Sequence, residues 1–305
     1  MPPVKHLYIG GYGPGIVTPG GELTRLTSSS FLAAHPKLPV LYAVGELAQG
    51  WLTAFSVEEG GALLPLDERP SMGDSPCHVA VDPEGTLLAV ANYGDGVVSL
   101  HHLDSRGAFE GRPIVLSNEG SGPHPERQQG PHAHQTVFHD GLLYVSDLGT
   151  DQIRRYRPDG EALEPLRLTP GTGPRHMVFS GSRLYVVGEL DGIVTLIDGE
   201  KSAGTLASRA EGVNHPSHLD LDGDFLYVAN RGPDTITVLR AEDLSLVAEV
   251  PSGGEWPRHF AIDGDRLYVA NQHSGVVTEF ALKDGVPEPT GQVLEVDSPS
   301  CVLPA

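Results

Sequence analysis

Pro216-Ser217-His218-Leu219-Asp220-Leu221 runs through a glycine-containing turn into Leu226-Tyr227-Val228-Ala229-Asn230, and the chain then repeats itself as Pro257-Arg258-His259-Phe260-Ala261-Ile262 followed by Leu267-Tyr268-Val269-Ala270-Asn271. The tyrosines set the phase. Tyr144, Tyr185, Tyr227 and Tyr268 are 41, 42 and 41 residues apart, and earlier copies stand at Tyr8, Tyr42 and Leu87-Leu88-Ala89-Val90-Ala91-Asn92, where Ala89 replaces the tyrosine. The preceding half-motif begins near Ser29, Pro76, Ala133, Pro174, Pro216, Pro257 and Pro299, so each half occurs seven times. A fixed period of this length marks a solenoid, a propeller or an array.

Within one period the pattern predicts four short strands, which in the copy at 256–297 are Arg258–Asp263, Arg266–Asn271, Gly275–Leu282 and Gly291–Val296. Asp263-Gly264-Asp265, His273-Ser274-Gly275 and Lys283-Asp284-Gly285 join them, with glycine supplying the positive φ of tight hairpin turns. Four antiparallel strands repeated radially make a propeller blade. The chain opens with a second strand, His6–Gly10, and closes with a first strand, Ser298–Leu303. The expected fold is therefore all-β: a seven-bladed β-propeller, one domain over 1–305, with the last blade closed by the N- and C-terminal strands.

The 20 Lys+Arg against 40 Asp+Glu give a net charge of −20, which repels a phosphate backbone and argues against nucleic acid and anionic membrane as partners. Met1-Pro2-Pro3-Val4-Lys5 has no apolar core of a signal peptide, and no run approaches the ~20 apolar residues of a membrane span. A cytoplasmic location is expected. The two cysteines, Cys77 and Cys301, fall two blades apart and read as small buried residues rather than a disulfide. Oligomeric state is not legible.

Equivalent positions of a repeat should look alike unless function has changed one of them. Four residues after the blade tyrosine the ring reads Tyr12, Glu46, Tyr93, Leu148, Glu189, Arg231, Gln272. The first two residues of the inner strands read Ser30-Phe31, Cys77-His78, His134-Gln135, Arg175-His176, Ser217-His218, Arg258-His259 and Ser300-Cys301. The start of a first strand and the end of an antiparallel second strand lie at one face of the disc, so both variable rings converge on one mouth. That mouth gathers His132, His134, Arg175, His176, Glu189, Arg231 and Arg258. Arginines concentrated there in so acidic a chain point to an anionic ligand, which a planar guanidinium binds in bidentate fashion. His78, His176, His218 and His259 share one repeat position and read first as structural hydrogen-bonding residues. Glu189, at the end of an apolar strand, reads first as a general base, with a structural salt bridge to Arg231 as the alternative.

The interval from Pro76 to Ala133 is about 15 residues longer than the others, and the surplus falls in Ser117–His132. Such a loop at the same mouth reads as a binding loop. His132 and His134 resemble a chelating pair on a strand, since alternate residues share a face. No Cys pair or His-Glu-x-x-His accompanies them, and the expectation is no metal and no cofactor. Gly10-Gly11-Tyr12-Gly13-Pro14-Gly15 leads into no helix and is not a dinucleotide motif.

Tyr42-Ala43-Val44-Gly45-Glu46, Arg127-Gln128 with Gly130-Pro131-His132-Ala133-His134, Gly173-Pro174-Arg175-His176, Val187-Gly188-Glu189-Leu190, Ala229-Asn230-Arg231-Gly232 and Pro257-Arg258-His259-Phe260-Ala261 together resemble the lactonase family of seven-bladed propellers. That family includes bacterial 6-phosphogluconolactonases and fungal carboxymuconate cyclases. The resemblance implies metal-free hydrolysis or formation of an anionic sugar or dicarboxylate lactone, with Glu189, Arg175, Arg231 and one of the His132/His134 pair, preferably His134, as catalytic residues. Substrate contacts would come from His132, Arg258, His176, Arg127, Gln128 and Glu46. Gly188 stands where the family's Val-Asn-Glu would have asparagine. The competing readings are a lactonising muconate cyclase and a non-catalytic binding propeller of the YVTN type.

Overall fold

The structure, a computed structural model, describes residues 7–199 and 201–305. Residues 1–6, which carry the N-terminal segment read for a signal peptide and the start of the strand expected at His6–Gly10, lie outside the described residues. The described residues form seven four-stranded antiparallel sheets arranged in a ring, with no helix among them. The ring closes as the strand pattern predicts. Pro299–Pro304 pairs antiparallel with Leu7–Gly11, matching Tyr8 to Leu303 and Ile9 to Val302, so one blade is built from both ends of the chain.

The repeated tyrosines explain how blades hold one another. Tyr42 is wholly buried among Val79, Leu88 and Val90 of the next blade, and its hydroxyl donates to Gly107 O at 2.7 Å in a turn of that blade. Tyr8, Tyr185 and Tyr227 do the same to Gly61 O, Ala241 O and Gly285 O at 3.0, 2.6 and 2.8 Å. The apolar body fills the blade interface and the polar tip satisfies a turn carbonyl.

In the copy at 256–297 the first two strands, Pro257–Asp263 and Arg266–Asn271, fall where the pattern puts them. The outer strand does not: it runs Val286–Glu295, through Pro287 and Pro289, rather than starting at Gly291. Proline is tolerated there because an outermost strand has an open edge on which no neighbour needs the missing N–H.

One irregularity recurs around the ring. In six blades the pairing of inner and second strand slips by one residue at the same place, between Pro76 and His78, Ala133 and Gln135, Pro174 and His176, Pro216 and His218, Pro257 and His259, and opposite Gly10–Gly11. The skipped residues are Cys77, His134, Arg175, Ser217, Arg258 and Ser300. In the remaining blade Glu46 N donates to Ser28 O and Phe31 pairs with Val44, which leaves Ser30 in the same offset. A β-bulge of this kind re-aims the extra side chain without ending the strand. The bulged residues turn to the mouth, and the residues after them fill the axial channel. Phe31, His78, His176, His218 and His259, from five different blades, meet there with ring centroids 4.1 to 6.2 Å apart.

Candidate active site at the mouth of the channel

The mouth encloses a cavity of about 410 Å³ lined by Glu46, Cys77, Tyr93, Arg127, His134, Glu189, His215, Arg231, Trp256 and Arg258. Arg175 and Tyr12 border a small void beneath it with Ser30, His176 and Ser300. Four guanidiniums against the two carboxylates of Glu46 and Glu189 leave a surplus of two positive charges in a chain of net −20. A larger cavity, about 500 Å³, opens at the turns of Asp82–Thr86 and Phe138–Gly141, and its lining contains no arginine or lysine.

Glu189 is the centre of the site. It follows the second strand Arg183–Gly188 of its blade, and its N–H donates to Gly173 O at 2.9 Å. Its Oε2 lies 2.9 Å from Arg175 Nε and 2.7 Å from Arg231 Nη2, while Oε1 accepts from Arg127 Nη2 at 2.6 Å. Burial alone would raise the carboxyl pKa; Arg231, Arg175, His134 and Arg127 outweigh it and hold Glu189 well below the usual carboxylate range. A carboxylate so paired is a poor proton acceptor. It is an effective counter-ion.

The neighbouring Gly188 has a steric reason. A Cβ there would meet Asp191 Oδ1 at 2.2 Å and Thr172 O at 2.9 Å. Asn92, Asn230 and Asn271 occupy the same repeat position in other blades and are fully buried with hydrogen-bonded amides. In this blade Asp191 fills the space that an asparagine side chain would take.

His134 is 6% exposed, and its Nδ1 lies 3.8 Å from Cys77 Sγ. Burial first, then Arg175 and Arg258, push its imidazole well below the ordinary range, with Glu189 acting the other way. The ring is neutral at pH 7. Burial, with Glu46 adding to it, pushes the Cys77 thiol up, so Cys77 stays protonated. On the far side Arg258 Nη2 donates to Tyr12 Oη at 2.6 Å, and Tyr12 donates to Glu46 Oε2 at 2.9 Å.

Three candidates lie elsewhere. Gln128 is buried within the long insertion, donating to Leu148 O and Asp151 Oδ1 at 2.8 Å each and accepting from His124 N; it pins the loop and does not line the cavity. His132 precedes the strand, stacks on Tyr93 at 4.6 Å and has Nδ1 2.7 Å from Tyr93 O. It buttresses Tyr93, and the bulge at His134 breaks the alternation that a chelating pair would need. Among the described residues no group of three or more His, Cys, Asp or Glu is placed to hold a metal. His176 belongs to the channel plug, its Nδ1 2.8 Å from that of His218.

Conversely, His215 and Trp256 line the cavity although neither variable ring contains them. Both stand two residues before the bulge, where the ring reads Ser28, Ser75, His132, Gly173, His215, Trp256 and Ser298. This third variable ring is visible in the same alignment of repeats. Trp256, at φ 65, packs under the Arg231 guanidinium at 5.3 Å and stacks on His273.

The profile of the Lactonase, 7-bladed beta-propeller family matches residues 14–304. The chain belongs to this family. Two relatives are similar along most of their length: a 6-phosphogluconolactonase of Bacillus subtilis, 30% identical over 76% of this chain and 73% of its own, and a 6-phosphogluconolactonase of Formosa agariphila, 31% identical over 77% and 75%. Among solved structures, the periplasmic gluconolactonase of Pseudomonas aeruginosa superposes with a TM-score of 0.87 at 25% identity over 98% of both chains. Membership of the lactonase family agrees with the resemblance read from Tyr42–Glu46, Arg127–His134 and the four later segments.

Proposed function

We propose that this protein hydrolyses a lactone that carries an anionic group, with a phosphorylated aldonolactone as the best-fitting class. The observation that carries this reading is the convergence of three guanidiniums and one neutral buried imidazole on a single cavity, with a fourth guanidinium, Arg175, at the void beneath it. A surplus of two positive charges matches a phosphate monoester, and the relatives named 6-phosphogluconolactonase support the same class. His134 is the base: its ring, kept neutral by burial, takes a proton from water as the water oxygen bonds to the lactone carbonyl carbon, and the Glu189 carboxylate favours the imidazolium that forms. Arg258 and Arg175 stabilise the oxyanion that forms. When the ring C–O bond breaks, the imidazolium returns its proton to the departing alkoxide, leaving a hydroxy acid. Glu189 keeps the arginines charged and in place.

The test is a pH-indicator assay over phosphorylated and plain aldonolactones and muconolactones. His134→Gln should lower kcat by ~10²-fold or more, since a positioned base contributes ~10²–10⁴-fold. Because His134 titrates well below 6.5, initial rates of the wild type should stay flat from pH 7.5 down through 6.5. An acid limb centred at 6.5 or above, or equal rates for wild type and variant on every lactone, would refute the assignment.

A further inference from the structure

Arg127 differs from Arg175 and Arg231, the other two guanidiniums on Glu189, in attachment and in cover. The side chains of Arg175 and Arg231 are 3% and 5% exposed and stand on the strands Pro174–Ser180 and Phe225–Arg231, whereas that of Arg127 is 35% exposed and hangs from the insertion. The buried pair is also tied to backbone: Arg175 Nη1 donates to Ser217 O, and Arg231 Nε donates to His215 O at 2.8 Å. The guanidinium of Arg127 meets side chains only, Tyr93 Oη at 3.0 Å and Glu189 Oε1 at 2.6 Å from Nη2. The insertion itself is fixed by Gln128 and by Asp147, whose carboxylate accepts Asn118 Nδ2 and His132 N at 2.8 Å each, so movement falls to the side chain alone.

The two oxygens of Glu189 are therefore loaded unequally. Losing Arg175 or Arg231 would strand a buried charge, but losing Arg127 leaves the carboxylate still paired through Oε2 and returns a half-exposed guanidinium to the cavity. Resting on the lactonase reading for the class of ligand, we propose that Arg127 is an exchangeable cation. It is held on Glu189 Oε1 and transfers to the anionic group of an incoming ligand, which makes it the residue that separates charged from neutral lactones. Exchanging one anionic partner for another adds little desolvation, and a phosphate accepts the planar fork in bidentate geometry. A neutral lactone offers nothing in return and leaves Arg127 lying across the mouth. Discrimination then comes from what the wrong ligand fails to displace.

The experiment compares wild type, Arg127→Met and Arg127→Lys. One arm measures the ratio of kcat/KM for 6-phosphogluconolactone to that for unphosphorylated gluconolactone; the other titrates inorganic phosphate calorimetrically. Met should lower the ratio and weaken phosphate binding by at least ~10-fold each, the range expected for a lost charged hydrogen bond, and Lys should recover part of both. A ratio unchanged within threefold, or phosphate binding that is absent or indifferent to Arg127, overturns the proposal and reduces Arg127 to a brace for Glu189. If the wild type hydrolyses no lactone but binds phosphate in an Arg127-dependent way, the lactonase reading falls and the exchange stands.

Discussion

Glu189 is what allows Arg175 and Arg231 to be charged in a dry place. Burial, then Arg231 and Arg258, work against the charge of Arg175, and Glu189 is the largest influence in its favour. Breaking a buried pair by removing one partner costs about 3–5 kcal/mol, because the other charge is left uncompensated. Glu189→Gln should thus lower the melting temperature as well as activity, and should raise KM together with its loss of kcat. A variant that melts like wild type and loses only kcat would return the role of base to Glu189. Sequence alone could place Glu189 and Arg231 at equivalent positions of adjacent blades and Arg175 on the facing ring. It could not show that one carboxylate takes three guanidiniums, because Arg127 reaches it from an insertion with no counterpart in other repeats.

At the scale of the strand, the repeat was legible because tyrosine, asparagine and the Pro-x-His step mark the phase in most blades. The bulge was not: a residue inserted in all seven blades leaves no trace in their spacing, and only the variability of that position hinted at it. The outermost strands were the least legible, since an exposed edge imposes no alternation, and Val286–Glu295 accommodates two prolines. The insertion shows how closely the loop is fitted. A Cβ at Gly149 would meet Gly130 O at 1.9 Å and His132 N at 2.8 Å, both backbone atoms of the segment that carries Arg127 toward the cavity. Gly149→Ala should push that segment outward, costing about 1–3 kcal/mol as overpacking does and raising KM for an anionic substrate. Unchanged denaturant midpoints and kinetics would mean that the loop yields freely.

For the whole molecule, six imidazoles set the response to acid. His78, His101, His134, His176, His218 and His259 are all held below the ordinary histidine range, with burial the largest cause for each; His101 and His259 are lowered to about 3. In the unfolded chain each takes up a proton near pH ~6.5, which the folded ring refuses, so the unfolded state binds more protons and stability falls as pH drops below that value. Each contributes up to ~1.4 kcal/mol per pH unit until its own folded pKa is reached. The depressed Glu189 carboxyl adds its loss only later, as pH falls below ~4.5. The urea midpoint should therefore decline steeply between pH 6.5 and 5; a flat profile there would show that the folded ring has no such proton deficit and already admits charge. The bulges have a consequence of another kind. Cys77, His134, Arg175 and Arg258 occupy places where the ladder skips a residue, so no cross-strand partner dictates their identity. Duplicated blades can thus diverge at the mouth one letter at a time while every strand keeps its partner, and an asymmetric pocket can be inherited, or rewritten by design, on a ring whose scaffold never needs to be renegotiated.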